Sequence, residues 1–500
     1  MPAFTPIPLG QRIPAASPHA VSASLPTMRA VRGYEEKDPE ITRHMTSGYP
    51  RFVVHPFLQQ LAAHLLRREQ LAGHTLWLAS SLRVADRLAA HLGAAHVIRI
   101  TDGPIHAVAH PESPELFSRA KTFLQNIGGF LSSRAAEDRL VHHGLLPAAA
   151  PETLFAGDAS AEITRHLAPA FPTVPPDNLL LTNCGMSAIE VAFRTVSDLQ
   201  AARGRTLWIQ LGWLYLDTIA LLKKFTATPD DYVYVSDVFD LAALEKLFAE
   251  KGDRIAGIFA EIPTNPLVQT PDVPAISALA RRHGAALILD PSITGVFNLD
   301  VLPHADVVVS SLTKYTASEG DLTAGLVVVN PAAPDAATLR ATITSRRDPL
   351  YSRDLARLAA EIGQTSAVLA QIHSSVPRIV EFLSSHPKIG QVHWALHAAS
   401  RDNYLRLARS PDAVGSMITF TVRGSLEDFY DRLNLPKGPS FGMKNTLICP
   451  FMFLAHYDLV TTDAGRAELA ASNLDPNLLR LSVGTEPSEE IIASLAAALD

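Results

Sequence analysis

Residues Ala305–Asn330 read ADVVVSSLTKYTASEGDLTAGLVVVN, two valine-rich runs on either side of a loop rich in hydroxyls. Val307–Val309 and Leu326–Val329 are apolar at every position, not at every second one. Such runs mark strands buried on both faces of a sheet. At the end of the first run stand Ser310, Ser311, Thr313 and a single lysine, Lys314. A lysine where a buried strand ends is either a solvated loop residue or an amine held for covalent work, and the rest of the chain must decide.

Working outward, the same kind of run recurs. NLLLTN (178–183), TLWIQL (206–211), YVYVSD (232–237), IAGIFAEIP (255–263) and AALILD (285–290) read as strands. Between them lie MSAIEVAFRTVSDLQAA, LDTIALLKKF, LAALEKLFAE and AISALARRHG, apolar at helical spacing. Buried strands alternating with helices predict an α/β fold with a mostly parallel sheet of seven strands. Beyond Asn330-Pro331 the pattern changes to a long helical section. GSMITFTVRG and LLRLSVGTE then give strands and EEIIASLAAALD a closing helix, which predicts a smaller α/β domain. Upstream, the first fifty or so residues are proline-rich and read as irregular. FLQQLAAHLLRREQL follows as a helix, then HTLWLAS, AHVIRI and IHAVAH as strands. The expected organisation is an N-terminal segment with a small α/β appendage (1–155), a large domain (156–335) and a C-terminal small domain (336–500).

Composition agrees with a large folded protein. The chain has 500 residues, 47% of them apolar and 19% charged, enough to bury more than one core. A net charge of -7 leaves no electrostatic footprint for nucleic acid or anionic lipid. Two cysteines, Cys184 and Cys449, fit a reducing compartment, and their spacing gives no zinc site. The N-terminus lacks a signal-peptide core, and no run of about 18 apolar residues occurs. A soluble, cytoplasmic protein is expected, without nucleic-acid, membrane or metal partners.

In open α/β sheets ligands collect beyond the carboxyl ends of the strands. After NLLLT comes Asn183-Cys184-Gly185-Met186-Ser187, where a glycine opens a helix and suits an anion. Glu261-Ile262-Pro263-Thr264-Asn265-Pro266 follows GIFA, Asp290 follows AALIL, and Ser311, Thr313 and Lys314 follow ADVVVS. Each has a plainer reading: Gly185 as a turn residue, Asp290 as a helix cap, Asn265 as a turn residue between prolines. Together they supply an amine, a carboxylate, a carboxamide and an anion cradle at one sheet edge. Pyridoxal phosphate needs such a set: an amine for its aldehyde, a carboxylate for its ring nitrogen and donors for its phosphate. The dinucleotide and P-loop glycine patterns are absent.

EIPTNPL, LILDPS and SSLTKY resemble the Cys/Met-metabolism group of fold-type I pyridoxal-phosphate enzymes, whose pattern runs E-x-P-x-N-P, V-D-N/D, S-x-T-K-Y. NCGMSAI resembles its phosphate loop and LRLSVGTE its R-x-S-x-G-x-E segment. Asp290 and Lys314 are 24 residues apart, close to the family's spacing. PLGQRIPAASPHAVSASLPT, GYEEKD, SGYPRF and LSSRAAED are similar to the long N-terminal part of fungal-type cystathionine γ-synthases.

The resemblance implies a fold-type I transferase and roles for single residues. Lys314 would form the Schiff base and move protons. Asp290 would pair with the ring nitrogen and Asn265 with the ring hydroxyl. Gly185 and Met186 amides, with the Ser311 and Thr313 hydroxyls, would hold the phosphate. Tyr215, in YLDT where the family has Y-G-G-T, would stack on the ring, with Trp213 as its rival. Arg480 would take the substrate carboxylate, and Ser440 would lie beside the substrate. Two departures stand out. His44-Met45-Thr46 align with the family's Tyr-x-Arg phosphate clamp, leaving Arg43 or Arg51 as substitutes. SFGMKNT (440–446) puts Asn445 where many γ-acting members have Glu. The implied activity is γ-replacement on an O-acylated homoserine with cysteine, in a homodimer or homotetramer. Sulfide as donor, γ-elimination, and a non-enzymatic member binding partners through its N-terminal segment are the competing readings.

Overall fold

The computed structural model describes residues 4–48 and 53–500. The chain begins with a short antiparallel pair, β1 (Arg12–Ile13) and β2 (Ser22–Ala23), and a helix, Met28–Glu35. Thr27 caps that helix by accepting the Ala30 N–H. The expectation of an irregular first fifty residues is therefore corrected. Two-residue strands carry no periodicity, and this arm is ordered from outside. Leu25 N–H donates to Lys437 O at 2.9 Å, Met28 N–H to Asp431 Oδ1 at 2.8 Å, and Ile13 and Val21 pack on Met443 and Leu447.

Next comes an antiparallel sheet of β3 (His74–Ala79), β4 (Ile98–Asp102) and β5 (Ile105–Pro111) in the order β3-β5-β4. Successive side chains of a strand point to opposite faces. Leu76 and Leu78 accordingly pack on Leu58, Leu61 and Leu65 of helix Pro56–Arg68, whereas Trp77 packs with Leu88 and Phe123 on the other side. Helix Pro114–Ile127 stops at Gly128, whose φ of +65 suits glycine, and Ser132 caps the next helix, Ser133–His142.

The seven runs read from the sequence form one sheet: β6 (Leu179–Thr182), β7 (Leu207–Leu211), β8 (Tyr232–Val235), β9 (Ile255–Glu261), β10 (Ala286–Asp290), β11 (Val307–Ser311) and β12 (Gly325–Val329). The order is β6-β12-β11-β10-β9-β7-β8, and only β12 runs antiparallel to its neighbours. Alternate residues feed two cores, Leu287, Leu289 and Val308 into one and Ile288, Val307 and Val309 into the other. That double burial is why these strands carry no alternation. Asp290 and Glu261 are register partners, so two carboxyls end side by side at one edge. At the start of β12 a Cβ on Gly325 would lie 2.3 Å from Cys184 O, so only glycine lets β12 reach β6 there.

A second antiparallel sheet contains β13 (Ile389–Trp394), β14 (Met417–Val422), β15 (Leu447–Pro450) and β16 (Leu479–Ser482), in the order β13-β14-β16-β15. Only β14 and β16 were legible. β13 (IGQVHW) is an irregular edge strand with exposed Gly390 and Gln391, and β15 is four residues that a turn-rich stretch disguises. Among the described residues no helix is long and apolar enough to cross a membrane.

Candidate active site

A cavity of about 450 Å³ opens at the carboxyl ends of β9, β10 and β11. Gly185, Met186, Tyr215, Asn265, Asp290, Ser311, Thr313, Lys314, Ser440 and Arg480 all line it. The topology thus brings these ten candidate residues from the sequence to one place. Trp213 is turned into the core instead, where its Nε1–H donates to His456 Nε2 at 3.0 Å. Arg43 pairs with Glu40 on an exposed surface, and Arg51 lies outside the described residues.

Lys314 lines the cavity. Its Nζ donates to Ser440 Oγ at 3.0 Å and lies 4.5 Å from the centre of the Phe441 ring. The flanking backbone is unusual: Tyr315 has φ +63 and Ser440 φ +111. Non-glycine residues stay in such conformations only where their surroundings over-determine them. Here Tyr315 N–H donates to Gly442 O at 2.7 Å, and Tyr315 Oη donates to Ile293 O at 2.6 Å. Burial drives the lysine pKa well below its usual value, and the charge of Arg480 adds to the effect. The amine is therefore biased to the neutral, nucleophilic form.

In the same cavity, Asp290 is buried at the end of β10. Ser292 donates to its Oδ1 twice, from N–H at 2.9 Å and from Oγ at 2.5 Å. Burial raises the Asp290 pKa to about 6 against those hydrogen bonds. Glu261 beside it is pushed well above the usual carboxylate range, first by burial and then by the charge of Asp290. Glu261 Oε1 also accepts the Tyr215 N–H at 2.5 Å, which fixes where the tyrosine leaves the sheet. A buried carboxylate with hydroxyl and amide partners, but no salt bridge among the described residues, suits a cationic ring nitrogen brought in by a ligand.

The anion end is made by helix Gly185–Ala201, whose first residues face the cavity. A Cβ on Gly185 would lie 2.9 Å from Ser311 Cβ, so the hydrogen side chain leaves the cradle open. Amides and positive dipole at a helix start favour a phosphate. Thr313 is partly engaged elsewhere, its Oγ1 accepting the Ala324 N–H at 3.0 Å.

Arg480, on β16, completes the set. Its guanidinium lies 4.5 Å from the Phe451 ring centre and 5.4 Å from that of Phe441, and Nη1 donates to Asn265 Oδ1 at 3.3 Å. Two aromatic faces hold the planar fork, with no carboxylate paired to it among the described residues, which leaves it suited to a bidentate carboxylate from a ligand. Sequence reasoning missed Phe441, Phe451 and Ser292. Ser292 had a signal, two residues after Asp290 in LILDPS. Phe451 had none, because it reaches Arg480 only through the pairing of β15 with β16.

Comparison with known proteins places the chain in a family. Residues 176–500 match the model of the family described as Cys/Met metabolism PLP-dependent enzyme. An L-2-amino-4-chloropent-4-enoate dechlorinase/desaturase of Streptantibioticus cattleyicolor is 39% identical over 485 residues, covering 97% of each chain. A cystathionine gamma-synthase of Neurospora crassa is 25% identical and covers 99% of this chain and 98% of its own. Among solved structures, cystathionine gamma synthase from Xanthomonas oryzae pv. oryzae aligns with a TM-score of 0.58 at 22% identity. It covers 69% of this chain and 86% of that one, a likeness that carries the fold.

Proposed function

The chain belongs to the Cys/Met metabolism family of PLP-dependent enzymes, and on that premise we propose that it expels a leaving group from Cγ of an L-α-amino acid, with Lys314 as the proton-moving base. The enzyme is of fold type I, and pyridoxal phosphate is its cofactor. The residues present fit that group. Lys314 would hold its aldehyde, Asp290 its ring nitrogen, Asn265 its hydroxyl, and the Gly185–Met186 helix start with Ser311 and Thr313 its phosphate. Tyr215 would cover the ring. The cofactor supplies an aldehyde for covalent capture of the amino acid and a ring that stores electrons from the Cα–H bond.

The chain's own residues do the rest. Arg480 grips the substrate carboxylate and so fixes which bond at Cα faces Lys314. Lys314, neutral through burial and the nearby guanidinium, accepts the Cα proton on Nζ. From the same position, held between Ser440 and Phe441, it can return a proton further along the side chain. Phe441, Phe451, Leu454 and Ala455 give that side chain an apolar wall, which excludes water from the reacting carbons.

The observation that carries the reading is that the Lys314 amine and the aromatic-flanked Arg480 guanidinium both lie against the Phe441 ring within one cavity. The dechlorinase relative, whose named substrate bears chlorine on C4, favours elimination of a small leaving group. Replacement by cysteine on an O-acylhomoserine is the second reading, supported by the cystathionine gamma-synthase relative and the SSLTKY and LILDPS motifs. A cytoplasmic homodimer or homotetramer belongs to the same proposal. The test is turnover of O-acetylhomoserine, O-succinylhomoserine and a γ-chloro amino acid, each with and without cysteine. Leaving-group release without cysteine supports elimination, and cystathionine formed only with cysteine supports replacement. Release from none of the three contradicts γ-chemistry.

Arg480→Lys gives a narrower expectation. A single ammonium cannot form the two-pronged contact, and one charge-assisted hydrogen bond is worth about 1.5–3 kcal/mol. KM for the amino acid should rise roughly ten- to a hundredfold, with a smaller change in kcat, read from initial rates across substrate concentration.

A further inference from the structure

The matched family model begins at residue 176, yet residues far upstream grip the loop that follows Lys314. Val21 N–H donates to Gly320 O at 2.9 Å. Arg134 Nη1 donates to the next carbonyl, Asp321 O, also at 2.9 Å. Two remote parts of the N-terminal segment thus hold two consecutive carbonyls of the lysine loop. Arg134 is fully buried, and it also pairs with Asp354 Oδ1 at 3.0 Å, Glu152 Oε2 at 2.8 Å and the Asp321 carboxylate at 3.5 Å.

Arg134 lies in LSSRAAED (131–138), and the polar residues of that motif all enter this network. Ser132 donates to Asp354, and Ser133 bonds His19 at 2.9 Å. Glu137 and Asp138 both pair with Arg353 at 2.7 Å. The loop is braced from its other side too: Arg357 pairs with Asp321 at 3.1 Å, and Glu361 accepts the Glu319 N–H at 3.0 Å. His19, Ser132, Arg134, Asp321 and Asp354 line the same cavity as Lys314. A buried arginine that ends on a main-chain carbonyl fixes backbone as well as charge, because its planar fork is rigid.

We infer that Arg134 is a positioning residue for Lys314, and that through it and Val21 the N-terminal segment is a working part of the active site. Its role is to set the course of the loop between Lys314 and β12, and so the direction of the lysine amine. The inference rests on the reading that pyridoxal phosphate is held at Lys314.

If the loop and the N-terminal segment are one mechanical unit, ordering one must order the other. The test is hydrogen exchange by mass spectrometry on the full-length wild-type protein, cofactor-loaded and cofactor-free. Peptides covering 310–324, 19–23 and 131–138 should all exchange several-fold more slowly in the loaded protein. Slowing confined to 310–324 overturns the inference and leaves the cofactor reading intact. No slowing at 310–324 overturns the cofactor reading and the inference with it. Arg134→Lys adds a spectroscopic arm. Lysine keeps the charge but cannot span Asp321 O, Asp354 and Glu152 together. The pH midpoint of the Lys314-bound chromophore should move and the cofactor dissociation constant should rise about tenfold, one pairing's worth of free energy. An unchanged midpoint and affinity in a folded variant overturns the inference.

Discussion

Lys314→Ala is expected to leave a folded protein that neither turns yellow with pyridoxal phosphate nor turns over substrate. Among the described residues Lys314 is the only lysine that lines the cavity. In the proposed function it would combine two duties, covalent anchor and proton carrier. General base work alone contributes about 10²- to 10⁴-fold, and the anchor adds the covalent capture of the cofactor. Activity should therefore fall at least about 10³-fold. Folding should be spared, because a buried amine whose pKa is forced down contributes no favourable charge to stability. Its removal instead frees Ser440 and Phe441 from a desolvated neighbour. Absorbance near the Schiff-base band, rates and a melting curve check the three parts together. An alanine variant that keeps the bound chromophore would assign the anchor to another amine.

Asp290→Asn should separate function from stability in opposite directions. The carboxylate is fully buried and receives hydrogen bonds from Ser292, and burial lifts its pKa to about 6. A carboxyl whose folded-state pKa is raised binds its proton more tightly in the folded than in the unfolded chain. The cofactor-free protein should then lose stability as pH rises from about 4 through about 6. Asparagine keeps an oxygen for Ser292 without the charge, so the cofactor-free variant should be flatter across that pH window and no less stable at neutral pH. Catalysis should move the other way. Loss of a preorganised charge at a reacting group costs roughly 10²- to 10³-fold in kcat, and cofactor affinity should drop as well. Melting temperature against pH for both cofactor-free proteins, with kcat for the loaded ones, reads both limbs. A variant that melts lower at neutral pH and retains full kcat contradicts the placing of Asp290 against a cationic ring nitrogen.

The large sheet was legible because its inner strands are buried on both faces. LILD and VVVS have no polar alternation to confuse them with surface strands. The candidate site was legible for a related reason, since chemistry-bearing residues at successive strand ends must meet at one edge. Lys314, Asp290, Asn265 and Gly185 needed only the order of strands. What stayed hidden depends on pairings that no local pattern announces. Phe451 reaches Arg480 because Cys449 is the register partner of Arg480. Helix Met28–Glu35 is held by Asp431, some four hundred residues away. β13 and β15 were missed because an irregular edge strand and a four-residue strand fall below any periodic signal. The ion network around Arg134 draws its charges from residues 134–152, 321 and 353–361. Sequence shows such residues only as scattered surface charges.

The most direct test is chemical. The purified protein, loaded with pyridoxal phosphate, is reduced with borohydride, digested and mapped by mass spectrometry. The expected result is a single pyridoxyl-modified peptide containing SSLTKY, with the label on Lys314. A label on any other lysine, or none after loading, would contradict the assignment of Lys314 as the residue that carries the chemistry.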